Sequence, residues 1–231
     1  DFTIKSGEMV GLVGHSGAGK STMINLCMRL YDPGIGRITI GGVDIKDIPQ
    51  KELRNNIGVV FQETYLFSGS IFENIAYARP DASPDEVISA AKAANAHEFI
   101  VRQPDGYDSM LGERGVGVSG GERQRISIAR AMLRNPRMLV FDEATASVDS
   151  ETEHLIQESI EKLIAGRTTL MVAHRLSTLR KANKIIVVDR GKILEMGTPE
   201  ELMEQKGKYY KLIQIQTMSA EIQKTKEEER L

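Results

Sequence analysis

The sequence is short of several things, and each shortage narrows what the chain can be. It has one cysteine, Cys27, in 231 residues. No disulfide framework can form within the chain, which fits a reducing compartment. Cys27 falls inside a helical pattern and reads as a small buried apolar side chain. Positive charge is not in excess: Lys plus Arg is 30, Asp plus Glu is 32, and the formal net charge is −2. A broad electrostatic surface for nucleic acid needs a basic surplus, so no nucleic-acid partner is expected. No stretch approaches the roughly 18 apolar residues of a membrane-crossing helix. The longest apolar pieces, such as Ile185 to Val188, are strand-sized. No secretory signal opens the chain. The first residue is Asp1 and a strand-like run follows almost at once, so the chain is expected to be a soluble piece of something longer.

What is present is a globular composition, 41% apolar, arranged as alternating elements. Strand-like runs occur at 9–14 (MVGLVG), 36–42 (GRITIGG), 57–61 (IGVVF), 137–141 (RMLVF) and 168–173 (TTLMVA), and 184–197 reads as a hairpin. Helical patterns follow at 20–30, 84–102, from Ser119, from Ser150 and from Thr198. Ser83 with Glu86, Ser119 with Glu122, and Ser150 with Glu153 have the spacing of capping boxes. Strands alternating with helices predict an α/β fold with a mostly parallel central sheet. The stretch 63–135 is mostly helical and reads as an insertion between strands.

Two segments suit anions. Gly14, His15, Ser16, Gly17, Ala18, Gly19, Lys20 and Ser21 fit G-x-x-x-x-G-K-[ST], with an apolar strand before and a helix after. Glycines let backbone amides turn inward around phosphates, Lys20 can reach the β- and γ-phosphates, and the Ser21 hydroxyl can ligate Mg²⁺. The second segment is Ser119-Gly120-Gly121-Glu122. A cap explains Ser119 and Glu122. Two glycines in a first helical turn, each costing about 1 kcal/mol against Ala, suggest that something approaches the backbone closely. A helix N-terminus with a hydroxyl and bare amides attracts anions.

Lys20, Gln62, Asp142-Glu143 and His174 each lie just past a strand-like run. In a parallel sheet such points share the carboxyl edge, where ligands bind. Phosphoryl transfer needs charge neutralisation and an aligned water. Asp142 is the expected Mg²⁺ partner, partly through water. Glu143 would polarise the attacking water, His174 would donate to the γ-phosphate, and Gln62 would sense Mg²⁺ and the water. His97 and His154 read as non-catalytic.

Together these residues resemble the ATP-binding cassette family over nearly the whole chain and in the family's order. GHSGAGKS resembles its phosphate loop, Gln62 its Q-loop, VSGGE its signature, MLVFDE its second nucleotide motif, SVD at 147–149 its D-loop, and His174 its switch histidine. Val118 and Glu122 depart from the signature's usual Leu and Gln. The resemblance implies a P-loop NTPase with a core of 1–62 and 136–231, some antiparallel β structure, and a helical subdomain over about 63–135. It implies ATP and Mg²⁺ as cofactors, with ATP held by Gly14 through Thr22. Ser119, Gly120, Gly121 and Glu122 would cover the ATP of a second copy, and Asp149 would connect the two copies. The segment FQETYLFSGSIFENI and the loop 112–115 resemble the exporter branch, whose members move drugs, lipids or peptides. That branch implies a transmembrane domain upstream, contacted through 62–115 with Glu113 and Arg114 facing it. It also implies a second nucleotide-binding domain, identical or not, and a place on the cytoplasmic face of the cell membrane. A soluble, non-transport ATPase of the same superfamily is the alternative. The 57 residues between Gln62 and Ser119 leave no room for the long coiled coil of its repair-type members. Asn183-Lys184 lacks the Asp of the N-K-x-D motif by which GTPases read their base.

Overall fold

A computed structural model describes residues 1–61, 64–142, 148–172, 180–215 and 217–218. A six-stranded sheet forms its centre, from β1 (Met9–Val13), β4 (Ile57–Val60), β7 (Met138–Asp142), β8 (Thr168–Val172), β9 (Lys184–Asp189) and β10 (Lys192–Gly197). Its order is β10-β9-β1-β8-β7-β4, with β10 alone antiparallel. The fold is thus the expected α/β type, and the predicted 184–197 hairpin is the β9–β10 pair.

The five parallel strands read as apolar runs because both of their faces are buried, whereas β10, at the edge, is exposed in part. Met9, Val13, Leu139, Phe141, Met171, Ile185 and Val187 point into one core. Val10, Leu12, Val140, Leu170, Val172, Ile186 and Val188 point into the other. The second core is covered by α1 (Lys20–Cys27) through Ile24 and by α2 (Gln50–Asn56) through Leu53. The first is covered by α3 (Ile71–Ala76), α4 (Pro84–Ala93), α5 (His97–Ile100), α6 (Gly120–Arg134) and α7 (Ser150–Ile164). Ile71, Val87, Ile100, Ile126 and Ile160 join the sheet residues in one cluster, so these helices share the sheet's own core. Two short antiparallel pairs lie outside the main sheet, β2 (Thr39–Ile40) with β3 (Val43–Asp44) and β5 (Gly69–Ser70) with β6 (Met110–Leu111). A last helix, α8 (Pro199–Glu204), starts with the capping box Thr198/Glu201.

Three local expectations are corrected. The helix over 84–102 is two helices, broken at Asn95, which takes φ 51°. Asn tolerates the left-handed region, and its side-chain amide donates to Leu155 O at 3.1 Å and Glu158 Oε2 at 3.0 Å. The strand over 36–42 shrinks to Thr39–Ile40. The cap of α7 is Asp149, one residue before Ser150: its carboxylate accepts from the Thr152 N–H at 2.9 Å. A further capping box, Ser70 with Glu73, starts α3.

Candidate nucleotide site

The loop from Gly14 to Gly19 joins β1 to α1, and its glycines answer to two different constraints. A Cβ on Gly14 would lie 2.2 Å from Val188 O, so the loop seats directly on β9. Gly19 precedes α1 at φ 106°, which only glycine takes without strain. The turn of the β9–β10 hairpin supports the loop from beneath, through Gly191 N–H donating to Ala18 O at 2.9 Å. The first turn of α1 has no side-chain cap, leaving its amides for an anion. Ser21 and Thr22 stand exposed on that turn, while Ala18 is buried.

Lys20 is 7% exposed, and its ammonium donates to Gly14 O at 2.7 Å and to His15 O at 2.9 Å. Burial lowers its pKa, and the nearby Asp142 carboxylate opposes that shift. Asp142 ends β7, two strands from β1. The ends of β1, β4, β7 and β8 fall on one edge, because these strands run parallel. Three of the residues expected there, Gln62, Glu143 and His174, lie outside the described residues, as does Ser147.

The second anion candidate is built differently. Ser119 caps α6 by accepting from the Glu122 N–H at 3.3 Å, and Glu122 Oε2 accepts from the Ser119 N–H at 2.7 Å. The box leaves the Ser119 hydroxyl proton available. Among the described residues the N–H groups of Gly120 and Gly121 have no partner. Val118 is buried in the core at 8% exposure and anchors the tip from behind. The close approach that Gly121 was expected to allow is made by the chain itself: a Cβ there would lie 2.2 Å from Thr152 Cγ2. Asp149 stands beside this contact, its carboxyl held below the usual range first by the Thr152 N–H.

A third feature escapes the motifs. Of six Phe and six Tyr, five (Phe61, Tyr65, Phe67, Phe72 and Tyr77) fall within 61–77. Phe61, Tyr65, Phe67 and Tyr77 are all exposed and line a groove of about 490 Å³ between β4, α3 and α6. Phe67 stacks on Tyr77 at 4.3 Å and meets Tyr65 edge-on at 5.3 Å. Arg130 lies over the Phe67 and Tyr77 rings and donates to Asn74 O at 2.8 Å. That density of aromatics in a chain with 5% is a signal the sequence carried. Glu113 and Arg114 are exposed on a single turn at Glu113–Gly115.

A family model described as ABC transporter matches residues 1–146. The chain belongs to the ABC transporter family. ATP-binding domains of this family are ATPases coupled to transport. The cassette is 52% identical over 216 residues to the ATP-dependent lipid A-core flippase of Syntrophus aciditrophicus, covering 94% of this chain and 36% of the flippase. It is 49% identical over 222 residues to ABC transporter B family member 1 of Arabidopsis thaliana, covering 95% of this chain and 17% of that protein. Among solved structures, a bacterial Atm1-family ABC exporter with ATP bound superposes with a TM-score of 0.87 at 45% identity, covering 93% of this chain and 38% of that one. The cassette therefore spans little more than a third of the length of the bacterial relatives it matches. Among the described residues no helix is long and apolar enough to cross a membrane.

Proposed function

We propose that this cassette is the ATP-hydrolysing domain of an exporter and works as a head-to-tail pair. The observation that carries the reading is the cradle: an uncapped helix start, a glycine loop seated on β9, and a buried ammonium held at its mouth. Gly14 through Thr22 then bind ATP, Lys20 turning from two backbone carbonyls to phosphate oxygens. The Ser21 hydroxyl and Asp142 carboxylate are hard oxygen donors and fit Mg²⁺, which takes the rest of its ligands from phosphate and water. Gln62, Glu143 and His174, following strands that end on the same edge, would align the water, polarise it and steady the γ-phosphate.

Ser119 and the free amides of Gly120 and Gly121 cover the ATP of the second copy, and two-fold symmetry makes two such sites at once. Glu122 acts through the box, and Asp149 links the copies. Loss of the γ-phosphate removes the bridge, turning a chemical step into an opening motion. The motion passes to a transmembrane domain through 62–115. The aromatic groove around Phe67 and Tyr77 supplies the apolar seat, with the helical stretch of about 63–135 moving against a core of 1–62 and 136–231. This places the cassette at the cytoplasmic face of the membrane.

A mixing experiment tests the shared site. Copies carrying Lys20→Met and copies carrying Ser119→Arg should each release almost no phosphate from MgATP. Mixed together they should recover activity, because the mixed pair has one site with an intact cradle and an intact cover. A mixture no more active than its two components rejects the pairing.

A further inference from the structure

The tip of α6 and the first turn of α7 meet at one point. A Cβ on Gly121 would lie 2.2 Å from Thr152 Cγ2 and 3.4 Å from Val148 Cγ1. The first distance is far inside van der Waals contact, the second ordinary. Gly121 is absent from the residues at positive φ, so space, and not backbone freedom, demands glycine here. Alanine would otherwise favour the helix.

Thr152 is held in the first turn of α7, where its N–H donates to Asp149 Oδ1 at 2.9 Å. A β-branched side chain in a helix has few χ1 rotamers, and its methyl faces Gly121. One residue thus meets both sides: Asp149 through its N–H, Gly121 through its methyl. Ser119 and Glu122 lock the tip's own backbone, so displacement at Gly121 carries the Ser119 hydroxyl with it.

We propose that Thr152 is a positioning residue, whose methyl sets where the Ser119–Gly121 tip stands relative to Asp149. Gly121 is glycine to receive that methyl. The proposal rests on the shared ATP site described above. A misplacement of about 1 Å is enough to cost roughly 100-fold in rate, which sets the expected effect of crowding this contact.

The test measures phosphate release at saturating MgATP alongside nucleotide affinity and thermal midpoint. Gly121→Ala should lower kcat by about 100-fold while nucleotide affinity at the Lys20 cradle stays unchanged. Thr152→Ser keeps the N–H bond to Asp149 and a hydroxyl, and removes the methyl. Added to Gly121→Ala, it should return kcat to the level of Thr152→Ser alone, whereas Thr152→Val, which keeps a methyl, should not. A double variant no faster than Gly121→Ala overturns the proposal, because the nucleotide and not Thr152 then requires the glycine. If Gly121→Ala does not fold, Thr152→Ser by itself decides: a lowered kcat with unchanged affinity supports the role, and wild-type kcat overturns it. Failure of rescue with the mixing experiment intact removes only the positioning role; failure of both removes the shared site.

Discussion

The phosphate loop and the Ser119 tip are both glycine-bearing helix starts, yet they are held in opposite ways. The loop has no side-chain cap. It is fixed from below by backbone, with Val188 O against Gly14 and Gly191 N–H on Ala18 O, and its amides open toward solvent. The tip is capped by its own Ser119 and Glu122 and braced from the side by Thr152 and Val148. One is a socket sunk into the sheet; the other is a finished surface with only a hydroxyl proton and two amides to spare. On the proposed reading the contrast gives two anion sites on one chain separate roles, one holding a nucleotide and one closing over it.

The largest expected effect breaks the contrast by fusing the two regions. On the proposed reading Glu143→Gln removes the general base, a change worth about 10²- to 10⁴-fold in rate, and leaves the cradle untouched. MgATP should then bind and persist, and size-exclusion chromatography should show accumulated dimers. A monomer that still hydrolyses ATP at the normal rate would contradict the role of Glu143.

A smaller effect separates the regions by stability. Gly14→Ala forces a Cβ to within 2.2 Å of Val188 O, and overpacking of this kind costs about 1–3 kcal/mol. The thermal midpoint should fall, in contrast with Gly121→Ala, where the tip can shift at the surface. Equal losses of stability at the two glycines would erase the distinction. The smallest effect sharpens the picture of the socket's underside. Burial pushes the Cys27 thiol on α1 up to about 11, so little thiolate forms near neutral pH. Alkylation at pH 8 should be slow in the folded protein and speed up on unfolding; rapid native labelling would mean that α1 opens easily.

Much of this was legible in the sequence because it depended on local spacing. The six residues from Gly14 to Gly19 with Lys20 announce the socket, and the runs at 9–13, 138–142 and 168–172 stand out because both sheet faces bury them. The hairpin, the boxes at Ser83 and Ser119, and the helix start at Thr198 are short-range patterns and appear where they were expected. Other features depended on partners distant in the chain. Asn95 breaks a helix that its neighbours would continue, held by α7 about sixty residues away. Asp149 wins the cap over Ser150 through a bond to Thr152. No periodicity says that the Thr152 methyl faces Gly121, and only the packing of α6 on α3 and β4 brings Arg130 over rings drawn from 67 and 77 into a groove beside β4.

The buried ammonium of Lys20 has a further consequence. It spans Gly14 O and His15 O and so ties the first turn of the loop to the start of α1. Nucleotide entry is then an exchange of acceptors, neutral carbonyl for charged oxygen, with little ordering of backbone to oppose it. Affinity that would be lost in shaping a slack loop remains available for discriminating between a diphosphate and a triphosphate.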